Sequence, residues 1–312
     1  MRYVAQRLGQ AGIVLALAFT ASFILLQALP GDALVMRFEN PESGLGPEEV
    51  ARLREALGAD MPLWQQYVDT LAGYLRGDFG YSVQTGTPVS EIIATALPNT
   101  LVLAASAFVI AALLAVVPAL LTQLPGFEGL SRMLRSLPSL FISIPVFWLG
   151  IVLVQVFSFR LGWVSVINPG PVEGLVLPVL ALALPISAPI AQVLIRAIDD
   201  VRAQPFMEVV RARGASHWWI LTRNVPRNAL LPALTMAGLL LGELIGGAVI
   251  TETVFGRAGI GRVTEQAVAA QDTPVLQAVV VISAAVFVVI NLLVDLSYPV
   301  LDPRLSRKGS RS

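Results

Sequence analysis

Six stretches of this chain run long with almost no charge. Leu8–Gly31 lies between Arg7 and Asp32, and Ile92–Phe127 lies between Glu91 and Glu128. Ser136–Phe159 follows Arg135, Gly174–Ile195 precedes Arg196, and Thr273–Val294 precedes Asp295. Asn228–Thr251 holds a single charge, Glu243. A membrane-crossing helix needs about 20 consecutive, mainly apolar residues. Every window is long enough, and continuous runs do not fit the alternation of barrel strands. The pattern predicts an all-α, polytopic membrane protein with six transmembrane helices. Arg2 and Arg7 ahead of the first run look like the start of a signal peptide. That run exceeds the apolar length of about 7–15 residues usual for such peptides, and five more spans follow, so it reads as a retained helix.

Two polar segments between the runs have their own punctuation. In Asp32–Glu91, "LGPEEVARLREALGAD" places Pro47, Glu48 and Glu49 at a helix start and Gly58 at its stop, as helix termini prefer. "MPLWQQYVDTLAGYLRG" repeats the logic from Pro62 to Gly77, with Trp64, Val68, Leu71 and Leu75 on one stripe. Such amphipathic helices lie on a membrane surface or on a helix bundle; their polar faces could also meet an extracytoplasmic partner. The second segment is "FMEVVRARGASHWWILTRNVPRNALLP", Phe206–Pro232. Pro205 can open a helix with Glu208 in its first turn, running through Arg211 and Arg213 to Gly214, the residue suited to a left-handed stop. Ser216 can cap a second short helix that Pro226 ends. The expected shape is two short helices with a glycine elbow, carrying Trp218, Trp219 and Ile220 beside Arg211, Arg213 and Arg223. Such a cluster could anchor at the lipid interface, bind anionic head groups, or fit a cleft on a soluble partner.

Composition agrees with the membrane reading. Only 13% of residues are charged, against about 25% in soluble domains. Net charge is zero, so nothing points to nucleic acid. With the N-terminus inside, the cytoplasmic pieces carry 14 of the 21 Lys and Arg residues and the outside pieces seven. The positive-inside rule therefore predicts both termini in the cytoplasm and puts Phe206–Pro232 there too. The implied organisation is 1–31 as the N-terminal region and first span, 32–91 as an extracytoplasmic helical segment, and 92–312 as the core with spans two to six and a cytoplasmic loop over 196–227.

Several chemistries are missing. The only lysine, Lys308, is not in a phosphate-binding loop. One histidine and no cysteine argue against a His/Cys metal cluster or a Ser-His-Asp triad, and His217 reads as a surface residue. A membrane-embedded enzyme would need a catalytic pair, and Glu243 with Asp295 is a poor one by depth. Glu243 is costly in lipid, at least ~2.5–3.5 kcal/mol if unpaired at mid-bilayer. It is a candidate for lining a translocation path, or for a protonated carboxyl bonded between helices. Gly238, Gly242 and Gly246 recur every four residues and give that helix a smooth packing stripe.

The cytoplasmic stretch resembles the "EAA" loop of bacterial binding-protein-dependent ABC importers, specifically the B-type permease of the dipeptide/oligopeptide group. The motifs are "FMEVVRARG" and "RNALLP", supported in family order by "LPGDAL", "GDFGYSVQTGTPVSEII", "IPVFWLGIVLV", "GGAVITETVFGRAGIGR" and "NLLVDLSYPVLDPRL". The chain departs from the pattern at Glu208-Val209-Val210, at Ala258 where the family has proline, and at Glu243 where an apolar residue is expected. The resemblance implies a type I ABC importer permease fold in the bacterial inner membrane. It implies a second, C-type permease, two ATPase subunits or one two-headed ATPase, and an extracytoplasmic solute-binding protein. ATP and magnesium would sit on the ATPases, with no cofactor on this chain. Glu208–Arg223 would be the coupling element, with Glu208, Arg211, Arg213, Gly214, Ser216, Trp218, Trp219 and Arg223 facing the ATPase. Dipeptides or oligopeptides are the implied cargo; nickel chelates, glutathione and oligosaccharides are carried by other relatives. The rival class, a stand-alone secondary transporter, predicts inverted repeats that the pattern does not contain.

Overall fold

The computed structural model describes residues 2–27, 61–167 and 169–301. These are helical apart from short connections and one isolated bridge between Tyr81 and Pro88. The helices are α1 (Arg2–Gln27), α2 (Leu63–Arg76), α3 (Val89–Leu121), α4 (Glu128–Ile142), α5 (Val146–Leu153), α6 (Glu173–Arg202), α7 (Pro205–Ala212), α8 (Val225–Val254), α9 (Ile260–Ala269) and α10 (Thr273–Leu301). A π turn, Val154–Arg160, continues α5. The expected helix over "LGPEEVARLREALGAD" lies outside the described residues.

α1, α3, α6, α8 and α10 are each long and apolar enough to cross a membrane. The third expected span, Ser136–Phe159, is not one rod. α4 and the α5 segment meet at 107°. Pro145 is the reason: it has no N–H to continue a helix, and it pushes Ile144 out of the helical region. α4 therefore stops at Ile142, and Pro145 (φ −62°, ψ 136°) starts the next helix.

Two compact units divide the chain, one from residues 1–99 with 258–288, the other from 100–257 with 289–312. The core of the second is built on small residues. Leu103, Ala107, Ala111 and Ala115 recur every fourth residue along α3 and are fully buried. They pack in one cluster with Leu182, Ala183, Ile186 and Ala191 of α6 and with Ala237, Leu240, Leu244 and Ala248 of α8. In lipid there is little hydrophobic gain from helix association, so stability comes from close backbone approach and van der Waals contact. Alanine at i, i+4 supplies that approach at no cost to the helix. α6 is the most enclosed span, with 61% of its apolar window buried against 17–33% in the other four.

The first unit is tied together by a carboxylate. Asp272, buried just before α10, accepts hydrogen bonds from Ser82 Oγ, from the Val83 N–H (3.2 Å) and from the Gln84 N–H (3.3 Å). It thus holds the turn of the "GDFGYSVQTGTPVSEII" motif against the start of α10. In α2 the helix runs from after Pro62 to Gly77, whose φ of +81° ends it. Tyr67 and Tyr74 lie on Phe19 and Phe23 of α1, while Trp64, Val68 and Leu75 are exposed.

Candidate functional site

α6 runs past the uncharged window to Arg202, and α8 begins at Val225, so the segment between them is residues 203–224. Gln204 is extended (ψ 141°) and Pro205 opens α7 at its first position, where a missing N–H costs nothing. The helix places Glu208 in its first turn and Arg211 in its last. It is stopped by Gly214 at φ +78°. The Gly214 N–H donates to the Arg211 carbonyl (2.9 Å) and the Ala215 N–H to Val210 (3.4 Å), satisfying carbonyls at the helix end. Ser216 then starts a new turn, its Oγ accepting from the Trp219 N–H at 3.2 Å.

The second short helix does not end at Pro226. His217–Trp219 passes into a π turn, Ile220–Asn224, which runs straight into α8. The Val225 N–H donates to the Ile220 carbonyl, five residues back. Pro226 follows this widened turn directly, and the helix continues through it.

The elbow is fixed from below and open above. Met207 is fully buried, and Ile220, Leu221 and Val225 nearly so, in a cluster with Ile195, Ile198 and Val201 of α6 and Ala229 and Ala233 of α8. All eight residues expected to face a partner are exposed: Glu208, Arg211, Arg213, Gly214, Ser216, Trp218, Trp219 and Arg223. Trp218 and Trp219 are 61% and 45% exposed, with Phe206 and Val209 also outward. Ile220, grouped with the tryptophans on sequence, instead belongs to the anchor. The buried anchors Met207 and Leu221 escaped sequence reasoning; the i, i+3 pair Met207–Val210 was the available signal. His217 is half-buried rather than a solvated surface residue, and its Nε2 has no hydrogen-bond partner among the described residues.

Beside the elbow lies a polar knot that sequence reasoning also missed. Arg135 of α4 donates to both carboxylate oxygens of Asp199 of α6, at 2.5 and 3.1 Å. Gln123, just past α3, donates to Asp199 at 3.3 Å and accepts from Arg202. Ser131 of α4 donates to the Thr122 carbonyl at 2.9 Å. The ends of α3, α4 and α6 are therefore joined within four residues of the start of the elbow.

In α8, Glu243 sits mid-helix on an exposed stripe with Thr235, Leu239, Gly246, Ile250 and Thr253. It makes no hydrogen bond or ion pair with the described residues of this chain. The opposite side is covered: Leu240, Leu244 and Ala248 are buried in the core. A Cβ on Gly238 would lie 2.5 Å from Val294 Cγ1 of α10, so this glycine permits a close crossing. Gly242 is half-buried, and Gly246 has nothing within 4 Å of a Cβ. Gly247, not singled out on sequence, approaches Leu182 of α6, with 2.6 Å to its Cδ1. The Asp295 side chain lies outside the described residues.

Comparison with known proteins bears directly on this arrangement. Residues 127–307 match the family described as binding-protein-dependent transport system inner membrane component, and residues 1–104 match the N-terminal region model of the same kind of membrane component. The chain belongs to this family. It is an ABC importer permease of the peptide type. It is 33% identical over 311 residues to a probable peptide ABC transporter permease protein of Sinorhizobium fredii, covering 97% of this chain and 98% of that one. It is 31% identical to the glutathione transport system permease protein of Escherichia coli, covering 99% of this chain and 100% of that one. Among solved structures, the permease resembles a chain of the inward-facing MetNI methionine ABC transporter, with a TM-score of 0.58 at 19% identity, over 68% of this chain and 96% of that one. An amino acid ABC transporter crystallised with histidines gives a TM-score of 0.51, also at 19% identity, over 69% and 94%. These likenesses support the fold of the permease.

Proposed function

We propose that this permease is half of a heterodimeric pore for short peptides, driven by ATPase subunits that grip the 203–224 elbow. The observation that carries the reading is the division of that segment. Met207, Ile220 and Leu221 lock it to the α6–α8 core, while Arg211, Arg213, Trp218, Trp219 and Arg223 are left outward. Exposed arginine and tryptophan are the residue types that concentrate binding energy at interfaces. A rigidly based handle transmits displacement, whereas a slack loop would absorb it. The Arg135–Asp199–Gln123 knot extends that base to α3 and α4, so an ATPase pulling the elbow would move three helix ends together. Such a linkage is what a two-state pore needs if closure of the ATPases is to bias its access.

In this reading α4 and α5 together make one bent span, giving six, with both termini in the cytoplasm of a bacterium. ATP and magnesium belong to the ATPase subunits, and an extracytoplasmic solute-binding protein delivers cargo to a pore shared with a second permease. Glu243 lines the path, since its exposed position on α8 cannot rest in hydrocarbon without a large cost. Peptide is the favoured cargo from the Sinorhizobium relative; glutathione, itself a tripeptide, is favoured by the Escherichia coli one.

Co-purification with candidate ATPase and partner permease is the direct test. Gly214→Ile refines it. A β-branched residue at φ +78° costs about 1–2 kcal/mol in backbone strain, and there is open space around the Cβ, so the elbow should bend wrongly without a clash. ATP hydrolysis should persist while uptake falls at least several-fold. Normal uptake in that variant would remove the elbow from the mechanism.

A further inference from the structure

α2 has three sectors, and among the described residues only two are accounted for. At 3.6 residues per turn, Gln65, Gln66, Asp69 and Arg76 form the polar side. Tyr67, Leu71 and Tyr74 form a second side, directed at α1. Tyr67 Oη and Thr20 Oγ1 are 2.8 Å apart, and the ring centroids of Phe19 and Phe23 lie 5.4 and 5.3 Å from that of Tyr67. Burial pushes the Tyr74 hydroxyl well above its usual pKa, as expected for a group enclosed among rings. The third sector is Trp64, Val68 and Leu75, adjoining the tyrosine side. These residues are 70%, 52% and 82% exposed.

The depth of α2 identifies what meets that sector. Its partners Phe19, Thr20 and Phe23 lie inside the α1 span, Gln6–Leu26. Thr20 is six residues short of the span's end, or about 9 Å at 1.5 Å per residue. At this same level, Leu17, Ile24 and Leu25 of α1 are outward and apolar, as a lipid-facing surface requires. A helix docked at that height has its uncovered apolar side continuous with the lipid-facing side of α1. Its polar side then falls where an interfacial helix keeps charge, toward water. Helices of this pattern sink their apolar face about 5–10 Å into the head-group and acyl boundary. Tryptophan at the start of the sector fits that boundary.

We propose that α2 is an interfacial anchor, with Trp64, Val68 and Leu75 seated in bilayer lipid at the end of α1. One acid and one cation on its polar side, Asp69 and Arg76, give it no net charge, so zwitterionic phospholipid suffices and anionic lipid is not required. The anchor holds the rim of the first unit at a set height on the membrane through the Tyr67–Thr20 contact. This inference rests on the membrane location of the family and not on elbow coupling.

The chain has no cysteine, so single-cysteine variants need no background changes. Val68→Cys, Leu75→Cys and Asp69→Cys, each in the full-length chain in phosphatidylcholine nanodiscs, would carry a nitroxide label. Collision with oxygen, which partitions into lipid, is compared with collision with a water-soluble nickel chelate. The oxygen-to-nickel ratio should be several-fold higher at 68 and 75 than at 69, and unchanged when phosphatidylglycerol is added. Equal ratios at all three positions would mean the sector faces water. Low collision with both reagents at 68 and 75 would mean protein covers it, either another segment of this chain or a partner. Either result overturns the proposal while leaving ATP-driven transport untouched as a question. If one label perturbs folding, the other, a turn and a half or more away, still reports the same sector.

Discussion

Arg135 holds Asp199 with two guanidinium nitrogens, at 2.5 and 3.1 Å, across the ends of α4 and α6. Isolated surface ion pairs contribute about 0–1 kcal/mol. This one is two-pronged and shares its carboxylate with Gln123, which adds geometric specificity. Asp199→Ala should therefore lower thermal stability only slightly, by about 1 kcal/mol. Its larger effect is expected on transport: ATP hydrolysis by the assembled importer should continue while cargo moved per ATP drops. The exchange Arg135→Asp with Asp199→Arg should recover part of that ratio. Failure of both single changes to alter it would show that the knot is packing alone.

Gly238 and Gly246 differ in what an added carbon would meet. At Gly238 it would strike Val294 at 2.5 Å, and valine is too stiff to yield. Gly238→Ala should cost about 1–3 kcal/mol through overpacking, read as a lower melting temperature in detergent. Gly246→Ala, with open space in this chain, should leave that temperature unchanged. Impaired assembly with the partner permease in Gly246→Ala alone would place Gly246 at the interface between the two.

Asp272 accepts from three donors in the first unit. Asp272→Ala removes the carboxylate that Ser82 Oγ and the Val83 and Gln84 N–H groups share. Losing hydrogen bonds to a charged group costs about 1.5–3 kcal/mol each in isolation, less where water enters. A net loss of about 2–3 kcal/mol is expected, with protease sensitivity increased first around residues 77–88. Intact resistance there would count against the clamp.

Glu243 makes a charge-specific prediction if it lines the path. With the same binding protein, wild type and Glu243→Gln should be compared on matched tripeptides that differ only in a Lys, Gln or Glu side chain. The variant should lose uptake of the cationic peptide relative to the anionic one, by roughly tenfold if about 1.4 kcal/mol of selectivity resides there. An equal change for all three peptides would assign Glu243 a structural role.

The one-dimensional pattern was enough for five of the six expected spans, because apolar length is what a bilayer demands. It also located the elbow: Pro205, Gly214 and Ser216 are local signals, and each acts through backbone geometry within a few residues. The kinked α4–α5 pair was less legible, since an uncharged run does not reveal that Pro145 will turn it through 107°. Pro226 misled for the related reason that a π turn can absorb a proline without ending the helix.

Residue type and spacing thus determined that this chain is a helical membrane protein with a bent polar loop between two spans; family motifs made it a permease. Only the tertiary structure decided which residues support that loop and which face outward. Met207 and Trp218 are both large and apolar, and nothing in their identity says that one is buried and the other open. Asp199 and Asp272 look like any acids near a helix end until Arg135 and Ser82 are brought beside them from 64 and 190 residues away. Apolar length, charge placement and backbone punctuation act locally and are written along the chain. Packing partners and long-range hydrogen bonds depend on helix crossings, which small residues such as Ala107, Ala111 and Gly238 permit but do not specify.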